Sequence, residues 1–244
     1  AATMAASLNL GAGQFCTNPG VMVVMESEAA SSFQTSLAEE IKKLVPQAML
    51  HTNIYKNYAA RTEQIFTKGQ VEKLAESDTE GSSLKGRPAV ARVTGSDFIQ
   101  HPEIAEEIFG PFSLLIVCSG ADELEKVLAA FDGQLTASVL ATDADVETYS
   151  VAIRTIQEVV GRLIFNGVPT GVEVCYAMQH GGPYPSTTDG RFTSVGVDAV
   201  KRFVRPVAFQ DAPDAYLPDE LKDANPLKIW RRINGQLSQE PIKR

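Results

Sequence analysis

Cysteine, histidine and tryptophan are scarce in this chain of 244 residues, which contains three, three and one of them. The cysteines form no C-x-x-C pair, which excludes a disulfide framework and a zinc ribbon and fits a reducing cytoplasm. The histidines are scattered along the chain and show no ligand spacing. We therefore predict no metal site.

Positive charge is also in deficit. Lys and Arg number 22 against 30 Asp and Glu, which gives a formal net charge of −8. Such a charge repels phosphate backbones, so nucleic acid is excluded as a partner. Long apolar runs are missing too: "VMVVM" (21–25) and "LLIVC" (114–118) are far shorter than the roughly 20 residues that span a bilayer. We predict no membrane segment and interpret both runs as buried strands.

Strand-like and helix-like segments alternate along most of the chain. Strands are predicted at 21–25, 89–93, 113–118, 136–142 and 162–166, and helices at 33–45, 52–77, 121–133 and 145–160. Repeated alternation requires crossover connections. The sequence therefore predicts an α/β layered fold, with a mostly parallel sheet and helices on both faces.

The chain changes character after Asn166. Residues 167–191 contain five glycines and three prolines, which is typical of an irregular loop, and loops on a rigid sheet often carry sites. The segment "AVKRFVRPVAFQ" (199–210) alternates well enough to predict a strand, and Pro206 favours an edge position.

The stretch "GAGQFCTNPG" (11–20) allows three interpretations. It begins like a phosphate-binding G-x-G-x-x-G loop, but a helix-like segment precedes it, a strand follows it, and Cys16 replaces the third glycine. Cys16 as a small buried hydrophobe is a second interpretation, which stays open. The third is a nucleophile presented by a turn, where converging backbone N–H groups activate a thiol and stabilise an oxyanion.

The same stretch resembles the nucleophile motif of the aldehyde dehydrogenase superfamily, in which a cysteine follows Gly-Gln-x. Four further segments match that family in the correct order: "RPAVARV" (87–93), "EEIFGPF" (106–112), "GQLTASVLAT" (133–142) and "GRLIFNGVPTG" (161–171). The match covers nearly all of residues 1–210. It implies an aldehyde dehydrogenase catalytic domain over 1–197, an oligomerisation strand over 198–210 and a C-terminal tail over 211–244.

The resemblance also implies a mechanism. In the family, a cysteine thiolate attacks the aldehyde carbonyl, hydride passes to NAD⁺ or NADP⁺, and a water activated by a glutamate hydrolyses the thioester. Carried over, Cys16 is the nucleophile and its own N–H forms part of the oxyanion site. Glu107 matches the glutamate that holds the nicotinamide ribose, and Phe109 matches the aromatic residue beside the nicotinamide. As alternatives, Glu107 lies on a solvated helix turn and Phe109 in the core.

The sequence departs from the family in two respects. The family's cofactor domain, its general-base glutamate and an oxyanion-hole asparagine precede the cysteine motif, and this chain starts fifteen residues before Cys16. We therefore expect a truncated catalytic half that binds little of the cofactor itself and has no redox turnover alone. Second, "QHGGPYPSTTDGR" (179–191) has His180 where many members have an aromatic residue.

The sequence of that loop, together with "GQFCTNPG" and the tail segment "NPLKIWRRINGQ", resembles one branch of the family. That branch includes 2-oxoglutarate semialdehyde (2,5-dioxovalerate) dehydrogenases and some NADP-dependent fatty aldehyde dehydrogenases. Phe15, Asn166 and His180 are the candidates for the substrate pocket, and His180 is either substrate-facing or an ordinary loop histidine. A small aldehyde is the expected substrate, and a homo-oligomer in the cytoplasm is the expected form.

Two other functions are kept as alternatives. One is a non-catalytic oligomerisation or binding module derived from the same fold. The other is a self-contained cysteine hydrolase or acyltransferase, which requires a histidine base near Cys16. None of the three histidines lies in a recognisable motif, so the sequence gives this last alternative the least support.

Overall fold

Four short segments form the main sheet of the protein, seen in a computed structural model that describes residues 1–171 and 173–243. They are β1 (Val21–Met25), β2 (Glu72–Glu76), β3 (Ala89–Thr94) and β4 (Phe112–Cys118), in the order β1-β4-β3-β2. β1, β4 and β3 are parallel, and β2 pairs with β3 in the antiparallel direction. β4 is buried along its whole length, as expected of a parallel strand that is covered on both faces.

Helices cover both faces of this sheet. They are α1 (Ala2–Asn9), α2 (Glu28–Lys43), α3 (Thr52–Thr67), α4 (Gly95–Gln100) and α5 (Ala121–Ala129). Alternate residues of β4 belong to two different cores: Leu114 and Ile116 pack with Tyr58 of α3, whereas Leu115 packs with Leu37 of α2. The predicted α/β layers with helices on both faces are confirmed.

The predicted helix over 52–77 is too long. α3 ends at Thr67, and residues 72–76 form β2. The residues of β2, "EKLAE", have a propensity for helix. They form an edge strand instead, because they pair with β3 and Glu72 makes an ion pair with Arg92 (3.0 Å).

A second, two-stranded parallel sheet holds the next two predicted strands, β5 (Gln134–Val139) and β6 (Val160–Phe165). The connection between them, predicted as one helix, contains α6 (Asp143–Thr148) and α7 (Ser150–Val159). The break falls at Tyr149, whose ψ of 27° departs from the helical range. β5 and β6 pair with each other and form a sheet separate from the main one.

The chain divides into two compact units, Ala1–Arg202 and a second that starts at Phe203. The strand predicted over 199–210 does not form: Val197–Phe203 is a 3-10 helix and irregular backbone follows to residue 210. A strand needs a neighbour for its N–H and C=O groups, and Pro206 removes one donor. The second unit contains a short hairpin of β7 (Arg231–Ile233) and β8 (Gln236–Ser238).

In the part of the chain that is described, every helix is too short or too polar to cross a lipid bilayer.

Candidate active site

A tight turn carries Cys16 from the end of α1 to the start of β1. Gly11, Ala12 and Gly13 all have positive φ, at 57°, 58° and 67°. This left-handed stretch turns the chain against the segment that precedes β4. We call residues 11–20 the cysteine turn.

The cysteine turn packs against residues 108–111, so two of the sequence motifs meet. A Cβ placed on Gly13 would lie 2.3 Å from the carbonyl carbon of Gly110, which shows how closely the backbones approach. The Asn18 side chain donates a hydrogen bond to the Gly110 carbonyl (3.2 Å). The Leu114 N–H, in β4, donates to the Gly20 carbonyl (2.9 Å). Both ends of the turn are therefore fixed by contacts with β4 and the residues before it.

Gln14 holds the middle of the turn in place. Its side-chain amide donates to the Gly11 carbonyl (3.0 Å), and its side-chain oxygen accepts from the Leu50 N–H (2.9 Å). The Gln of the Gly-Gln-x-Cys motif is thus a structural brace, which leaves the thiol two residues later free to face outward.

Cys16 itself is solvent-exposed, so the interpretation as a small buried hydrophobe is wrong. Its Sγ lies 3.3 Å from Nε2 of His180, a residue 164 positions away. The structure does not support the phosphate-loop interpretation, because that motif joins a strand to a helix and this turn leads from a helix into a strand.

The backbone N–H of Cys16 has no acceptor among residues 1–171 and 173–243. A free N–H beside an exposed thiol can donate to an oxyanion that forms next to the sulfur.

His180 is half-buried, and this burial together with the charge of Arg162 lowers its pKa. The imidazole is therefore neutral at pH 7 and able to accept a proton. Sequence reasoning missed this pairing, since the only local signal was the glycine- and proline-rich loop that contains the histidine.

Phe15 and Asn166, the other candidates for a substrate pocket, are placed differently. Phe15 is 41% exposed and lies against Gly11 at the surface of the cysteine turn. Asn166 has a φ of 52° and uses its whole amide on Ala141: Oδ1 accepts from the Ala141 N–H (2.9 Å) and Nδ2 donates to the Ala141 carbonyl (3.0 Å). This closed pair ties the ends of β5 and β6 together.

Glu107 and Phe109 flank Ile108 in the segment that meets the cysteine turn. Glu107 is exposed, and its carboxylate has no hydrogen-bond or ion-pair partner in the described residues, whereas neighbouring Glu106 pairs with Arg61 (2.9 Å). Phe109 is half-buried. Phe109 lies within, and Glu107 directly before, residues 108–111, which pack against the cysteine turn.

The other two thiols differ from Cys16. Cys118 is buried at the end of β4, and burial raises its pKa to about 12, with the Glu123 charge adding to the effect. Cys175 is exposed in the loop after β6. Where the structure describes the chain, no group of three or more His, Cys, Asp or Glu residues is placed to hold a metal ion.

Two curated proteins match nearly the whole chain. The alpha-ketoglutaric semialdehyde dehydrogenase of Acinetobacter baylyi is 38% identical over 235 residues, which make up 96% of this chain and 45% of that protein. The alpha-ketoglutaric semialdehyde dehydrogenase 2 of Azospirillum brasilense is 39% identical over 231 residues, or 94% of this chain and 44% of its own length. The chain is similar to these aldehyde dehydrogenases over nearly its whole length. It spans about half the length of the curated relatives it matches.

Solved structures show that the fold is that of aldehyde dehydrogenases. A salicylaldehyde dehydrogenase from Pseudomonas putida G7, in complex with salicylaldehyde, has a TM-score of 0.63 at 18% identity and covers 86% of this chain and 44% of its own. No protein-family profile matches the chain. The aldehyde dehydrogenase resemblance predicted from the motifs is nevertheless confirmed by the curated relatives.

Proposed function

We propose that this chain is the catalytic portion of an NAD(P)-dependent aldehyde dehydrogenase in which Cys16 is the nucleophile. The observation that carries the proposal is the exposed Cys16 thiol, with a free backbone N–H, on a turn braced against residues 108–111. A non-catalytic module needs no such arrangement.

The chemistry on Cys16 follows from this geometry. The sulfur attacks the aldehyde carbon, a C–S bond forms, and the carbonyl electron pair moves to the oxygen. The Cys16 N–H donates to that oxygen as it becomes negative. Once the former aldehyde carbon has lost its hydride, the acyl group stays on Cys16 as a thioester until water releases the carboxylate and restores the thiol.

The chemistry that NAD⁺ or NADP⁺ supplies when bound is hydride acceptance. Glu107 fits a role in holding the cofactor, because its exposed carboxylate has no described partner and is free to accept from ribose hydroxyls. Half-buried Phe109 offers an aromatic surface beside it. We expect most of the cofactor contacts to come from a separate domain, so redox turnover requires that domain as well.

The substrate proposed is a small aldehyde with a carboxylate, of the 2-oxoglutarate semialdehyde type. Support comes from the names of the two curated relatives at 38% and 39% identity. The three free thiols support a cytoplasmic location, where reductants keep cysteines unpaired.

Limiting iodoacetamide near pH 7, followed by mass mapping, tests the nucleophile. Cys16 is expected to react at least about tenfold faster than exposed Cys175, and buried Cys118 is expected not to react in the folded chain. Cys16→Ala removes the fast phase, and Cys175→Ala, the matched control, leaves it unchanged. Equal rates at Cys16 and Cys175 would show that the turn does not activate its thiol.

We also propose that the protein is a homo-oligomer, supported by apolar side chains around the segment predicted as an oligomerisation strand. Phe203, Val204 and Val207 are 84%, 61% and 57% exposed. Apolar surface of this kind is usually covered by a partner. Light scattering is expected to give at least twice the chain mass, and the pair Val204→Lys and Val207→Lys is expected to shift the mass toward the monomer. A monomer at high concentration before any substitution would contradict the proposal.

A further inference from the structure

We propose that His180 is the base that takes the proton from the Cys16 thiol, so that the two residues act as a nucleophile and base pair. The inference rests on the proposed function, since it takes Cys16 to be the nucleophile. It adds a catalytic residue that neither the motifs nor the names of the relatives assign.

The distance and the atoms suit direct proton transfer. Sγ of Cys16 is 3.3 Å from Nε2 of His180, within the range of a hydrogen bond that involves sulfur. The S–H donates and the neutral ring nitrogen accepts. A base in contact with the sulfur is the feature that turns a weak thiol nucleophile into an effective one.

His180 is also held in position by its own backbone. Its N–H donates to Oγ1 of buried Thr193 (2.9 Å), and its carbonyl accepts from both the N–H and the hydroxyl of Ser194 (2.9 Å each). The histidine is therefore not an unrestrained loop residue.

The two glycines that follow fix the loop to the second sheet. Gly181 and Gly182 are buried, and a Cβ added to Gly161 in β6 would lie 2.0 Å from the Gly181 carbonyl oxygen. The loop backbone thus lies directly on the starts of β5 and β6. This contact explains the glycine at 161, and a Cβ on Gly182 would lie 2.4 Å from the Gln134 carbonyl oxygen, so a side chain at either position would force the loop and the strands apart.

The electrostatics decide how the proton moves. Burial and the charge of Arg162 in β6 both oppose a positive imidazole, and Cys16 is the titratable group that faces His180 from the cysteine turn. In the described residues, Nδ1 of His180 has no hydrogen-bond partner that could stabilise the cation. The imidazole of the resting pair is thus neutral and able to accept a proton, and proton transfer accompanies attack.

Proton transfer from the thiol accompanies formation of the C–S bond. The S–H bond breaks as its proton passes to Nε2, the sulfur electron pair forms the C–S bond, and the carbonyl π pair moves to the oxygen. The imidazolium that results is disfavoured by Arg162, so it loses its proton to solvent and returns to the neutral form. No oxidant is needed for this step.

The pH dependence of Cys16 alkylation by iodoacetamide tests the inference. With His180→Gln, which keeps a polar group but accepts no proton in this range, the rate at pH 7 is expected to fall at least about tenfold. Wild-type reactivity should decline only at acidic pH, as His180 becomes protonated, whereas the reactivity of the variant should lose this step at acidic pH. Added imidazole should partly restore the rate in His180→Ala.

His101→Gln is the matched control, since the His101 side chain is half-buried and pairs with Glu103 (3.5 Å). It should leave the Cys16 rate unchanged. Resistance of Cys118 to labelling shows that each variant is folded. A fast Cys16 with the same rate and pH profile in His180→Gln would overturn this inference alone, whereas a wild-type Cys16 no faster than Cys175 would overturn the proposed function.

Discussion

Replacing Gly13 with alanine is expected to lower the free energy of unfolding by about 3 kcal/mol or more and to abolish the fast reaction of Cys16. The φ of Gly13 is +67°, which strains any residue with a Cβ. The new Cβ would also lie 2.3 Å from the carbon and oxygen of Gly110 and 2.5 Å from the nitrogen of Pro111. These are backbone atoms of a packed segment, so the cysteine turn must move instead.

Urea unfolding and the iodoacetamide rate measure the two parts of this prediction. Gly20→Ala is the matched control in the same turn, because its nearest neighbour is the Asn18 carbonyl oxygen at 4.0 Å. That change should stay within about 0.5 kcal/mol of wild type. An unchanged unfolding midpoint for Gly13→Ala would mean that the turn does not pack on residues 108–111.

Leu115→Ala is expected to destabilise the chain by about 3 kcal/mol. Leu115 is fully buried in the middle of β4 and packs in one cluster with Leu8, Leu37 and Ile41. Truncation removes apolar contact and leaves a cavity that α1 and α2, on the same face of the sheet, cannot close completely. The measurement is again the urea midpoint.

The same substitution at Leu50 provides the control, since that side chain is 86% exposed and its structural role is carried by its backbone N–H. It should change stability by less than about 0.5 kcal/mol. Equal losses at the two positions would show that the second core does not form as described.

The strands predicted correctly are those with a continuous apolar pattern. β4 is the clearest case, because a strand that is buried on both faces needs apolar residues at every position. β2 could not be predicted in the same way. Its charged residues favour a helix locally, and only pairing with β3, more than ten residues later in the sequence, makes it a strand.

The residues of the candidate site also differ in how far the sequence predicts them. The cysteine turn could be predicted because its glycines and Cys16 are neighbours in sequence and share one local geometry. His180 could not be assigned a role, since its significance depends on a contact across 164 positions that no local pattern encodes. The strand prediction for 199–210 was wrong for a related reason. Alternating apolar and polar residues show that a strand is possible, but a strand forms only where another strand can accept its backbone hydrogen bonds.

The separation of Cys16 and His180 has a consequence for the chain as it is synthesised. During synthesis His180 is added 164 residues after Cys16, so their contact closes a long loop that cannot form before His180 is made. Throughout that interval the thiol has no proton acceptor beside it. On the proposed pairing, full reactivity of the Cys16 thiol requires the contact with His180, so a nascent chain that lacks His180 exposes a less reactive thiol to alkylation and oxidation.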